Sequence, residues 1–216
     1  AEEYQQFLDV YGQLGERMHH VRGNHDAMTD RALAVCNAPY TVRVPGAVLA
    51  VLDTVNPGHE NGTLAAAQID WLDALAADAT DPVLVFGHHH PWDPASDDRN
   101  ETYFGIIPDD SERLVEVFAR HASIAGYFAG HTHRNRVRRF DAAPHVPVVE
   151  VACTKDYPGM WAEYAIYEGG YTQQVHRIQA PDAVRWTERT RELFFGLYRS
   201  YALGAIGDRC FTQHFA

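Results

Sequence analysis

The chain has 216 residues, 46% of them hydrophobic, which is enough for one well-formed core. A formal charge of -11 excludes nucleic-acid or anionic-membrane binding through bulk charge, so an anionic substrate needs local positive charge, which bound metal ions supply. Cys36, Cys153 and Cys210 are far apart and odd in number and suggest neither a disulfide framework nor a paired-cysteine zinc site; no apolar run is long enough to span a bilayer and no signal peptide is visible, so a reducing cytoplasm is expected.

Tyr4, Phe7, Leu8, Tyr11 and Leu14 recur at helical spacing and predict an amphipathic helix over 2–15. A helix in full course beside Ala1, which is not methionine, carries the expectation that the chain begins inside a domain. Residues 17–21 read as a short strand ending at Gly23, and 29–35 as a short helix. Residues 41–44 and 47–53 flank Pro45-Gly46 as a β-hairpin, and 54–62 form a loop rich in Asn, Pro and Gly. Thr63 is the expected N-cap of a helix with Ile69, Leu72, Leu75 and Ala76 on its inner face. Continuous apolar runs at 82–86 and 124–129 predict buried strands, with a helix over 109–120 between them that turns Leu114, Val117 and Phe118 inward. Four more strands are expected at 135–140, 146–152, 162–167 and 171–178, the last two joined by a turn at Gly169-Gly170. Pro181 then opens a helix whose stripe of Leu193, Phe194, Leu197, Tyr198 and Tyr201 reads as core, with a homodimer contact as the alternative. Strands alternating with helices, followed by a run of strands, predict a layered α/β architecture.

Three clusters each follow a strand-like segment: Gly23-Asn24-His25-Asp26, Gly87-His88-His89-His90-Pro91 and Gly130-His131-Thr132-His133. Imidazole nitrogens and an amide oxygen gathered at a sheet edge suit zinc, manganese, iron and cobalt. Read singly, Asn24 is a turn residue, His25 a surface histidine and Asp26 a helix cap. His131 and His133, two apart on an extended backbone, point the same way and serve neighbouring positions of one cluster.

Taken in order, the clusters resemble the second half of the calcineurin-like metallophosphoesterase signature. The first half, an Asp-x-His and a Gly-Asp ahead of Gly-Asn-His-Asp, is absent, and the one Gly-Asp, Gly207-Asp208, reads as a loop at the wrong end. The resemblance implies an α/β fold, a four-layer β-sandwich flanked by helices and incomplete at its N-terminus, over 1–180, with 181–216 as a C-terminal helix and tail packed on it. It implies two divalent or trivalent transition-metal ions (manganese, iron, zinc or cobalt), Asn24, His88 and His131 matching ligands of one and His133 a ligand of the other. Within the triple histidine it selects His88, with His89 as the alternative. His25 would protonate the leaving oxygen or stabilise charge on the phosphoryl group, oriented by Asp26. The reaction implied is hydrolysis of a small phosphoester by a hydroxide held between two metals about 3.5–4 Å apart. The enzyme is expected to be the full-length parent, with this chain alone inactive.

Leu52-Asp53-Thr54, then Gly58-His59, then Gln68-x-x-Trp71-Leu72 resemble the class III cyclic nucleotide phosphodiesterase branch, which implies a phosphodiester reached by His59. Arg134 is the other substrate-binding candidate; the run Arg134, Arg136, Arg138 and Arg139 reads as a solvated strand with alternate members on opposite faces. Trp92, Tyr103 and Phe104, in the loop after His88, wall a pocket or pack as ordinary core. Two other classes compete. One is a catalytically inactive metal-binding or protein-interaction module on the same fold, favoured by the missing half-signature. The other is a single-metal oxygenase, which gives no reason for Asn24.

Overall fold

The computed structural model describes residues 2–28, 38–96, 99–100 and 103–216. The short helix expected over 29–35, and Cys36, lie outside the described residues.

Apolar runs buried on both faces build the centre. Strands β1 (Tyr40–Val44), β2 (Ala47–Val51), β3 (Val83–Phe86), β4 (Ile124–Ala129), β5 (Arg136–Phe140) and β6 (Ala143–Glu150) form one sheet in the order β1-β2-β3-β4-β6-β5. The pairs β2–β3, β3–β4 and β4–β6 are parallel, so their carboxyl ends share one edge. Successive residues face opposite sides of the sheet. Val48, Ala50, Val83 and Val85 pack with one core, while Ala47, Leu84, Ala125 and Phe128 pack with another.

The first core is closed by helices α3 (Ala66–Asp78) and α4 (Pro108–Arg120), which bring Ile69, Leu72, Ala76, Leu114, Val117 and Phe118 as expected. Burying a side chain such as Leu72 or Leu114 contributes about 1.5–3 kcal/mol. The second core is closed by a three-stranded antiparallel sheet, β7 (Met160–Tyr167), β8 (Gly170–Arg177) and β9 (Cys210–His214), through Tyr171 with Tyr164, Ile166 and Phe211. Helices, six-stranded sheet and three-stranded sheet thus stack as layers, and the C-terminal tail supplies β9 to the third.

Several local expectations are corrected. Thr63 is not the cap of α3, which starts after Ala65; its N–H bonds Thr54 O, and Leu64 N–H bonds Asp110 Oδ2 at 2.7 Å, so both stay in the preceding loop. The β7–β8 turn is Glu168-Gly169, because Gly170 already pairs with Tyr167. Residues 17–21 make no strand, since their fixings are made by side chains rather than by a ladder: Tyr40 donates to His20 O at 2.7 Å, and Arg22 is paired with Asp53 at the end of β2. The N-terminal helix ends earlier than expected, as α1 (Glu2–Tyr11) followed by 3-10 turns over Gly12–Arg17; Phe7, Val10 and Tyr11 on the helix and Leu14 after it are exposed.

The single C-terminal helix is also overturned. Residues 181–203 form α5 (Pro181–Thr187), a 3-10 turn and α6 (Leu197–Leu203), interrupted where Phe194, Phe195 and Gly196 take φ of 53°, 58° and 82°. Three successive left-handed residues cannot continue a right-handed helix. The stripe read as core is mostly exposed, with only Tyr198 of the five buried. Asp208 caps the short α7 (Ile206–Arg209) by accepting Ala205 N–H, and also accepts Val137 N–H, so it is a joint between α7 and β5. Among the described residues no helix is long and apolar enough to cross a membrane.

Candidate metal centre

The shared carboxyl edge of the parallel strands collects the site, the usual position for a ligand in an open α/β sheet. β3 ends at Phe86 and delivers His88, and β4 ends at Ala129 and delivers His131. Glycines follow both strands. A Cβ at Gly87 would collide with the Tyr127 hydroxyl, which donates to His89 O at 2.6 Å and so fixes the chain as it leaves β3. Asn24 opens α2 (Asn24–Ala27), a single turn whose start is fixed when Asp26 accepts Gly23 N–H at 2.9 Å. The carboxylate therefore caps this turn.

Asn24 Oδ1 lies 3.0 Å from His88 Nε2, which lies 3.2 Å from His131 Nδ1. His131 Nε2 is buried with no hydrogen-bond partner. A buried polar atom left unpaired is costly unless something completes it. Burial pushes the imidazoles toward neutrality, to about 4 for His88 and about 3 for His131. Their lone pairs are then available at neutral pH, and together with the Asn24 amide oxygen they fit a borderline transition-metal ion.

The triple histidine diverges. His88, His89 and His131 lie close enough to share an ion. Yet His89 is fully buried with both ring nitrogens engaged, Nδ1 to Thr54 Oγ1 at 2.9 Å and Nε2 to Glu60 O at 3.1 Å, and burial lowers it to about 2. Both ring nitrogens of His89 are thus taken up by the loop that carries Thr54 and Glu60. His90 turns toward Tyr103 and Glu150 rather than joining the cluster on the His88 side.

His131 and His133 do not lie on an extended backbone. Both take left-handed φ, 52° and 55°. Strain of about 1–3 kcal/mol per residue of this kind persists only where surroundings over-determine it. Here Thr132 Oγ1 donates to the fully buried Glu150 Oε2 at 2.8 Å, and Tyr201 donates to Thr132 O at 3.2 Å. His133 Nδ1 meets Asp156 Oδ2 at 2.7 Å, with the Cys153 sulfur 3.8 Å from the same carboxylate oxygen. His133 also lines a cavity at this edge.

That cavity, about 540 Å³, is lined by Asn24, His25, His88, His131 and His133, by Glu60, and by Phe104, Phe194, Leu197, Tyr198 and Tyr201. His25 is exposed at its wall. His59 is exposed in the turn 56–60 and is not part of the lining, where its neighbour Glu60 is. Arg134 is not part of it either. Its guanidinium forks onto Glu150, Nε to Oε2 at 2.9 Å and the terminal nitrogen to Oε1 at 3.1 Å. The basic run is accordingly no solvated strand. Arg134, Arg136 and Arg138 converge on Glu150 and Asp93, while Arg139 turns to the other face and reaches Gln213, so the alternation holds and the solvation does not. Glu150, Thr132 and Asp156 were missed from the sequence; for Asp156 the signal was its place just beyond β6, the next parallel strand end.

An α/β sandwich with imidazole and amide donors at parallel strand ends has the architecture of a metallohydrolase. The chain belongs to the calcineurin-like phosphoesterase family, whose model matches residues 2–135. Among curated proteins it is 23% identical over 190 residues to a probable cyclic nucleotide phosphodiesterase of Synechococcus, covering 81% of this chain and 70% of that protein. It is 31% identical over 149 residues to a cAMP/cGMP dual specificity phosphodiesterase of Mycobacterium tuberculosis, covering 65% of this chain and 45% of that one. The fold is similar to a dimetal phosphatase from Danio rerio, with a TM-score of 0.59 and 14% identity over 92% of this chain and 72% of that structure.

Proposed function

We propose that the full-length protein hydrolyses a phosphodiester at a two-metal centre, with cyclic nucleotides as the first candidates. The observation that carries this reading is the neutral Asn24–His88–His131 cluster with its orphaned buried nitrogen. Asn24, His88 and His131 would hold one ion and His133 would contribute to the other. Ions bound there would act as Lewis acids and lower the pKa of a coordinated water. His25, exposed at the cavity wall, meets the leaving oxygen and supplies its proton. Asp156 keeps the proton of His133 on Nδ1, which orients the ring and leaves Nε2 as the donor.

The charge of the cavity supports a diester over a monoester. Among the described residues that line it there is no lysine or arginine, and Glu60 is acidic. A diester carries one fewer negative charge at neutral pH and leaves room for a second substituent. The two curated relatives, both named as cyclic nucleotide phosphodiesterases, support the same choice. The test compares catalytic efficiency on matched aryl monoester and diester with manganese, then on cyclic AMP. A preference of at least about tenfold for the diester is expected, as for other single-contact discriminations. A clear preference for the monoester would make the protein a phosphatase instead.

Asp156→Ala tests the orienting carboxylate. Loss of such an outer partner typically costs about 10–100-fold in metal affinity. Titration with manganese should show one ion bound that much more weakly and the other unchanged; two unchanged affinities would remove Asp156 from the site.

A further inference from the structure

The C-terminal stripe expected to be core has no place in the metal centre. It forms one wall of the cavity. We propose that this wall is an apolar subsite that seats an aromatic ring carried by the phosphoester, an inference that rests on the phosphoesterase reading and names the substituent it selects.

The wall is anchored to the metal-site turn itself. Asn135, two residues after His133, donates to α6 three times: its backbone N–H to Ala202 O at 3.0 Å, and its side-chain amide to Ala202 O and Leu203 O, both at 3.2 Å. Gly204 presses so closely on Asn135 O that a Cβ there would collide with it. Tyr201 donates to Thr132 O, and the Arg134 guanidinium lies 5.1 Å from its ring centroid. Helix α6 is thus clamped beside His131 and His133 rather than draped over them.

The turn before it then sets the direction of the side chains. Left-handed backbone at Phe194, Phe195 and Gly196 breaks the helix, and Phe194 and Leu197 line the cavity that Phe104 also lines. Phe194 is 68% and Leu197 66% exposed, so the wall still has apolar area that a ligand can cover. A substituent next to the phosphorus finds rings from Phe104, Phe194, Tyr198 and Tyr201 and no lysine or arginine among the described lining residues. Recognition on that side is by apolar and ring contact, and an aromatic group suits it because offset and edge-on ring pairs gain beyond area alone. An anionic substituent would find no counter-charge among these side chains and a carboxylate, Glu60, in the same lining.

The test uses phenylphosphonate and methylphosphonate, which share a headgroup and are not hydrolysed, titrated calorimetrically into the manganese-loaded protein. Phenylphosphonate should bind at least about tenfold more tightly, the scale of one ring stacked on aromatic side chains. Leu197→Ser and Phe194→Ser, both at exposed positions, should each bring the ratio within about threefold of unity. Phe195→Ser is the control, because Phe195 faces solvent outside the cavity and should leave the ratio as it was. Equal binding of the two phosphonates by the parent protein, or an unchanged ratio in both cavity variants, overturns the subsite while leaving the phosphoesterase reading intact. Failure to bind either phosphonate overturns the subsite alone, because a dianionic headgroup is what a diester-selective centre disfavours and the comparison of monoester with diester tests that reading separately.

Discussion

His131→Ala is expected to remove metal binding at the Asn24–His88 position and to lower diester hydrolysis by more than about 100-fold, beyond the 10–100-fold typical of losing an outer partner. The imidazole lies 3.2 Å from His88 and holds a buried, unpaired Nε2 whose most direct explanation is a ligand. The fold should survive, because the ring's other neighbours are Phe104, at 4.1 Å between centroids, and the rings of His88 and His89, which form no hydrogen bond to Nε2. Thermal unfolding with and without manganese gives a readout that does not depend on turnover. An ion that binds the native state stabilises it by mass action, about 2.7 kcal/mol at a hundred times its Kd. The parent protein should gain stability when manganese is added and the variant should gain little. His88→Ala should behave in the same way. His89→Ala should differ, because its nitrogens hold Thr54 and the Glu60 carbonyl, and its loss should lower stability with or without metal. A His131→Ala protein that binds manganese normally and turns over a diester would remove this histidine from the centre. A His89→Ala protein that is stable yet metal-free would transfer the ligand role from His88.

Much of this site is legible in the sequence alone. Apolar runs such as Ile124–Ala129 mark buried strands, and short polar motifs after them fall at one sheet edge once the strands are parallel. Helices α3 and α4 are legible because their apolar residues repeat at 3.6 and are flanked by loops that cannot continue them. What stays hidden depends on distant partners. Nothing local distinguishes Phe194-Phe195-Gly196 from the middle of a helix, since two of the three left-handed residues are phenylalanines and the apolar spacing runs straight through them. The arginine run is equally opaque on its own. Its burial follows from Glu150 lying opposite Arg136 in the β5–β6 register, a pairing across a turn that charge patterning does not reveal. Residues 17–21 have strand-like composition, yet the segment is held by the Tyr40 hydroxyl on His20 and by the Asp53 carboxylate on Arg22 just beyond it.

Glu150→Ala is expected to be the most destabilising single substitution around the metal centre. The carboxylate is fully buried, accepts from the Arg134 fork and the Thr132 hydroxyl, and has the Arg136 guanidinium as a further ion-pair partner at 3.9 Å. Arg138, with a side chain only 10% exposed, sits in the same network and also bonds Pro91 O. Taking away the acid leaves cationic side chains crowded without their main counter-charge, and breaking a buried pair from one side typically costs about 3–5 kcal/mol. For a chain of this size, that corresponds to a fall in Tm on the order of 10 °C. The loss should also reach the metal centre, because Thr132 would lose the bond that holds the turn between His131 and His133. Thr132→Val separates the two effects: it keeps the ion pairs and removes only the hydroxyl, so it should weaken manganese binding while costing about 1 kcal/mol, the usual worth of one hydrogen bond. Glu150→Gln lies between them, retaining an oxygen for Thr132 but not the charge. A Glu150→Ala protein that unfolds within about 2 °C of the parent would show that the arginines find other partners. Normal metal affinity in Thr132→Val would show that the strained turn stands without Glu150.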